Sequence, residues 1–155
     1  MDKEIPNGKI TIYQKELVST INGLVNSDGI HSTAIPSLRL IRASNVSEPL
    51  HSIYDPSLLV IAQGAKIVTL ADENYQYDPS TYLVTSVHLP ITGQIIKASP
   101  EVPYLCVQLR FSTDQILDII KESNQAWSGK MDSGRGMVVN RVNSDLLDAV
   151  LRLVR

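Results

Sequence analysis

The stretch SLLVIAQGAKIVTL, Ser57 to Leu70, contains two apolar runs of strand length parted by Gln63 and Gly64. Short apolar runs bounded by turn residues read as strands. A glycine between them supplies whatever dihedral a tight connection demands. The same texture continues on both sides: LRLIRA (38–43), NYQYD (74–78), TYLVTSVHL (81–89), TGQIIKA (92–98) and PYLCVQLRF (103–111). The breaks between runs carry Gly, Pro, Asp or Asn, the residues that supply turn dihedrals. About seven or eight short strands at this spacing predict a β-sandwich or barrel over about 35–111. Nothing of helix length separates them, which speaks against a parallel sheet with crossover helices.

Helical patterns flank the strands. In the N-terminal segment 9–28, Ile10, Tyr13, Leu17, Ile21 and Leu24 recur at helical spacing, and Gly29 is a natural stop. After the strands, Ser112 and Gln115 have capping-box spacing, and Ile116, Ile119 and Ile120 form one face of a helix expected at about 112–124. A last helix is expected at about 144–155, with a stripe of Leu147, Val150, Leu151 and Val154. It reaches Arg155 without a stop signal, so the expectation is a longer protein continuing beyond this chain. The fold class is thus mainly β with flanking helices, an α+β arrangement in a single domain spanning 1–155.

A chain of 155 residues suffices for one domain burying roughly 70% of its unfolded surface. Its 43% hydrophobic and 19% charged content is that of an ordinary globular protein. A net charge of −2 gives no general attraction to nucleic acid or an anionic membrane. No run approaches the roughly 20 apolar residues of a membrane span, and no signal-peptide pattern opens the chain, so a cytoplasmic protein is expected. Cys106 is the single cysteine, which excludes an internal disulfide and a thiolate cluster; its apolar setting marks it as a small buried hydrophobe.

Enzymatic chemistry finds little support. Neither phosphate-cradling glycine motif is present, and no nucleophile elbow occurs. The three histidines, His31, His51 and His88, are isolated, with no H-x-H pair to place two imidazoles on one strand face. The 16 Asp and Glu residues fall mostly in turns and helix starts, where they cap and solvate. No enzyme activity, metal or cofactor is expected.

Polar positions within strands say more. Period two places Tyr82, Val84, Ser86 and His88 on one side of their strand, and Tyr104, Cys106, Gln108 and Arg110 on one side of theirs. Both sets suit either a solvated outer face or a barrel lumen in which a few polar groups orient a small molecule. The sequence does not say which face turns inward.

IPSLRLIRA, YDPSLLVIAQGAKIVTL and YQYDPSTYLVTSVHLPITGQIIKASPEVPYLCVQL together resemble, in order, the N-terminal domain of AraC-type transcriptional regulators. The likeness covers about Ile35 to Ile120. It implies a cupin-like jelly-roll barrel serving effector binding or dimerisation, which the helices read above flank as one N-terminal and two C-terminal helices. It also implies a separate C-terminal helix-turn-helix domain, absent from this chain, that contacts promoter DNA in the cytoplasm. Cupin enzymes hold a metal through H-x-H; here the corresponding region reads ADENYQYDPS, so the resemblance implies a metal-free sensor.

The leading expectation is therefore a ligand-sensing domain, with Arg42, Tyr54, Gln63, Tyr82, Ser86, His88, Tyr104 and Gln108 as candidate effector-reading groups. Tyrosines would stack on the ligand, Gln and Ser would hydrogen-bond, and Arg would favour a carboxylate or dense hydroxyls. Two alternatives are a homodimerisation module without a small ligand, pairing through Leu147, Val150, Leu151 and Val154, and a metal-dependent cupin enzyme. The partners expected are a small-molecule effector and a second copy, with DNA only through the other domain and no membrane.

Overall fold

The computed structural model describes residues 4–85, 89–111, 131–132 and 137–154. Among the described residues, helix α1 (Glu4–Leu24) comes first, eleven strands follow, and helix α2 (Ser144–Val154) comes last. The strands are β1 (Gly29–Ser32), β2 (Leu38–Ala43), β3 (Leu50–Tyr54), β4 (Ser57–Gln63), β5 (Ala65–Leu70), β6 (Glu73–Tyr77), β7 (Thr81–Thr85), β8 (Leu89–Lys97), β9 (Tyr104–Arg110), β10 (Met131–Asp132) and β11 (Met137–Arg141). They form two antiparallel sheets, one in the order β1-β2-β9-β4-β7-β11-β10 and one in the order β3-β8-β5-β6. This is a jelly-roll barrel of two facing sheets, as the strand count and the family likeness imply. The helix expected at 112–124 lies outside the described residues.

Two cores make three layers. On one face of the larger sheet, Leu38, Leu40, Val60, Ala62, Leu105 and Val107 pack against Leu17 and Ile21 of α1 and Leu147, Val150 and Leu151 of α2. On its other face, Leu59, Ile61, Leu83, Cys106 and Met137 meet Val68, Leu70, Tyr77 and Ile91 of the smaller sheet. Strands covered on both sides need apolar residues at successive positions, which is why β4 and β9 read as near-continuous hydrophobic runs.

The Ser57–Leu70 stretch folds as its punctuation demands. Gly64 turns the chain between β4 and β5 at φ 93°, a conformation that L side chains rarely adopt. A Cβ there would stand 2.7 Å from the Lys97 carbonyl oxygen and 3.0 Å from the Tyr104 Cα. The next hairpin, β5 to β6, turns through Ala71 at φ 55°.

Several strands had no clear sequence signal. β1 (GIHS) pairs only with β2, and β3 (LHSIY) only with β8, so both are sheet edges with mostly exposed residues, the apolar Ile30, Leu50 and Ile53 among them, instead of a buried run. β8 runs straight through Pro90 and Ile91, the break between the runs TYLVTSVHL and TGQIIKA. Pro90 is tolerated because it lies beyond Thr92, the last β8 residue in register with β5 on that side. α1 also begins earlier than expected, at Glu4, with Pro6 in its first turn where a missing N–H leaves no helical bond unmade.

Candidate functional site

The buried polar side chains among the described residues are Ser57, Thr85 and Gln108. All three lie at one end of the inner face of the larger sheet. Register fixes this: Ser57 stands opposite Thr85 on β7 and Arg110 on β9, while Leu59 stands opposite Leu83 and Gln108. Leu59 and Leu83 belong to the core between the sheets, so their cross-strand partners face inward too.

Ser57 and Thr85 are mutually satisfied. The Ser57 N–H donates to Thr85 Oγ1 at 3.2 Å, and both hydroxyls donate to the Asp55 carbonyl at 2.8 Å. Gln108 is matched from β2, where Arg39 is its register partner. Arg39 donates from Nε at 3.1 Å and from Nη2 at 2.8 Å to the Gln108 side-chain oxygen. One residue pair further along the same face sits Arg110. Its Nη2 donates to the Pro36 carbonyl at 3.3 Å, and its Nε is buried without a hydrogen-bond partner. The end of the inner face is therefore a corner of two guanidiniums and one amide.

Only some of the expected reading groups reach this corner. Gln108 does. Tyr104 shares its sheet face at the opposite end, beside Gly64. Gln63, past the register shift in β4, is in register with Leu105 of the helix-side core; it donates to the Pro103 carbonyl at 2.8 Å, tying the β4–β5 turn to the loop before β9. Arg42 and Tyr82 face the helices instead. Arg42 is in register with Leu105 of the helix-side core and pairs with Asp28 at 2.8 Å. Tyr82 packs against that same core opposite Asn140; burial raises its phenol above the usual value, and the hydrogen bond with Asn140 partly offsets this. Tyr54 closes β3 opposite Leu89, and its side chain is not among those described. Ser86 and His88 lie outside the described residues.

The sorting follows from one register. Val60 stands opposite both Tyr82 and Val107, whereas Leu59 stands opposite Leu83 and Gln108. The Tyr82 face of β7 and the Tyr104 face of β9 are therefore opposite faces of one sheet. Arg39 was missed because LRLIRA offers an arginine to each face, and only the pairing with β9 tells them apart.

The remaining expectations can also be placed. Leu147, Val150, Leu151 and Val154 are buried within the chain, in the core shared with α1, so the stripe expected to pair with a second copy is already covered by its own fold. Amphipathic periodicity identifies a buried face but not what covers it. Cys106 is fully buried, and burial pushes its thiol up to about 11. His31 Nε2 donates to the Ser27 carbonyl at 2.8 Å, and His51 Nδ1 shares a hydrogen bond of 3.0 Å with Thr92 Oγ1, each at a separate sheet edge. Among the described residues no three His, Cys, Asp or Glu gather as a metal would require. Among them, too, no helix is long and apolar enough to cross a membrane.

The family model for the AraC-type transcriptional regulator N-terminus matches residues 34–155. The chain belongs to that family. No curated protein sequence matches this AraC-type domain significantly. Solved structures that resemble it include ToxT from Vibrio cholerae O395, at 12% identity and a TM-score of 0.49, over 76% of this chain and 45% of that one. Another is wild-type ToxT from Vibrio cholerae strain SCE256 with an unsaturated fatty acid bound, at 8% identity and a TM-score of 0.49, over 76% and 44%. The AraC-type domain thus spans a little under half the length of these chains. The matched range takes in every strand from β2 onward, together with α2.

Proposed function

We propose that this domain senses a small-molecule effector on the inner face of its barrel and transmits occupancy to a DNA-binding domain elsewhere in the regulator. The observation that carries this reading is the segregation of the buried polar side chains. Ser57, Thr85 and Gln108 lie together at one end of an otherwise apolar inner layer, as in a site where a few polar groups orient a ligand against apolar walls. Family membership supports the regulatory role. A net charge of −2 supports a division of labour in which promoter DNA is contacted by a helix-turn-helix domain, not by this one.

A sensor must bind its effector with different affinities in two states, because tight but equal binding shifts nothing. Homodimerisation belongs to the same reading, with a contact face other than the buried α2 stripe. The test is a metabolite screen by thermal shift, with hits measured by calorimetry on the wild type and on Gln108→Leu. Saturable stabilisation that is lost in Gln108→Leu is expected. Hits that bind both proteins equally would remove the inner face from the mechanism.

A further inference from the structure

We propose that the corner formed by Arg39, Gln108 and Arg110 binds an oxyanion, a carboxylate or phosphate group carried by the effector. This rests on the reading of the inner face as the effector site, and it names the chemistry that face selects.

Three observations carry it. The first is placement. Arg39 is the cross-strand partner of Gln108, and Arg110 follows Gln108 by two residues on the same face of β9. Diagonal neighbours on adjacent strands lie about 7–8 Å apart, within reach of two long side chains closing on one group.

The second is charge. The described ion pairs join Arg42 to Asp28 and Arg152 to Asp148. Among the described residues, no carboxylate meets either Arg39 or Arg110. Two cations at diagonal positions on one sheet face repel each other, more so where water is excluded. An anion between them removes that repulsion.

The third is the sense of the hydrogen bonds. The acceptors nearby are already engaged: the Gln108 side-chain oxygen takes two bonds from Arg39, and the Asp55 carbonyl takes both neighbouring hydroxyls. What remains on Arg39, Gln108 and Arg110 themselves consists of donors. Arg39 Nη1 and the Gln108 amide nitrogen make no hydrogen bond among the described residues, and Arg110 Nε is buried and unpaired. A donor-only corner suits a group with several acceptor lone pairs and no proton to give. Planar guanidinium forks match carboxylate and phosphate oxygens two at a time. A sugar or another neutral polyol would need acceptors that this corner does not offer.

The experiment uses three probes at constant ionic strength, namely butyrate, inorganic phosphate and butyramide, on the wild type, Arg39→Gln and Arg110→Gln. Thermal shift and calorimetry read binding. The expected result is saturable stabilisation by butyrate or phosphate, none by butyramide, and affinity weakened about tenfold or more in each variant, the scale of one lost charge-assisted hydrogen bond. Which anion binds more tightly separates a carboxylate effector from a phosphate one. Should Arg39→Gln fail to fold, Arg39→Lys keeps the charge and removes the fork, and the same weakening is expected. Stabilisation by the anions that persists unchanged in both arginine variants would overturn the proposal, because the ions would then sit elsewhere. So would the absence of any anion binding. Butyramide binding as well as butyrate, with both arginine variants unaffected, would overturn the oxyanion assignment while leaving the inner face an effector site.

Discussion

Replacing Gly64 with alanine tests the hairpin on which the barrel turns. Two effects act in the same direction. The backbone there has φ 93°, and holding a residue with a Cβ at positive φ costs about 1–2 kcal/mol. The new methyl would also stand 2.7 Å from the Lys97 carbonyl oxygen and 3.0 Å from the Tyr104 Cα. Both are backbone atoms of β8 and β9, so neither can rotate away, and overpacking of this kind adds about 1–3 kcal/mol. Together Gly64→Ala should destabilise the domain by about 2–5 kcal/mol, a large share of the 5–15 kcal/mol typical of a whole protein. With a urea dependence of about 2 kcal/mol per molar, the unfolding midpoint falls by about 1–2.5 M. Gly93→Ala is the internal control. Its methyl would meet Lys66 Cε at 2.9 Å, but that atom is near the end of a flexible side chain, and no positive φ is involved. Its loss should stay under about 1 kcal/mol. Urea unfolding followed by circular dichroism measures both. A Gly64→Ala loss below about 1 kcal/mol, or one equal to that of Gly93→Ala, would refute the reasoning.

Leu151 is wholly buried between α1, α2 and the larger sheet, so Leu151→Ala should cost about 2–5 kcal/mol of unfolding free energy. Sedimentation of the folded variant should match the wild type; loss of a dimer at unchanged stability would instead make the stripe an interface. Asp28 is held below its ordinary value of 3.8 by the Ser44 hydroxyl and backbone N–H, with Arg42 contributing less. A depressed carboxylate stabilises the fold above its unfolded value and loses that contribution as pH falls through the folded one. Acid titration of wild type and Asp28→Asn should therefore show the wild type losing its advantage below about pH 4; parallel curves would exclude the linkage. The buried Cys106 thiol, raised to about 11, should resist iodoacetamide at pH 8 in the native state and react only as urea unfolds the chain. Rapid native labelling would contradict its burial.

The strands that the sequence reveals are those whose burial leaves a mark on composition. LRLIRA, SLLVIAQ and AKIVTL are covered on at least one face and begin and end where the turn residues place them. β1 and β3 escape notice because edge strands need only one partner and tolerate GIHS or LHSIY. The site is harder for a different reason. Each strand declares its two faces, but nothing along the chain says which face of β7 lies beside which face of β9. That relation is set by β4, which holds Leu59 against both Leu83 and Gln108. Once it is known, Tyr82 and Arg42 go to the helix layer, while Arg39 and Arg110 go with Gln108. A polar residue in a double-covered sheet is informative only together with its neighbours two strands away. Gln108 draws attention alone as a buried amide, yet its oxygen is fully engaged by Arg39, so the binding capacity of the corner resides in the guanidinium groups that Gln108 helps to hold in place.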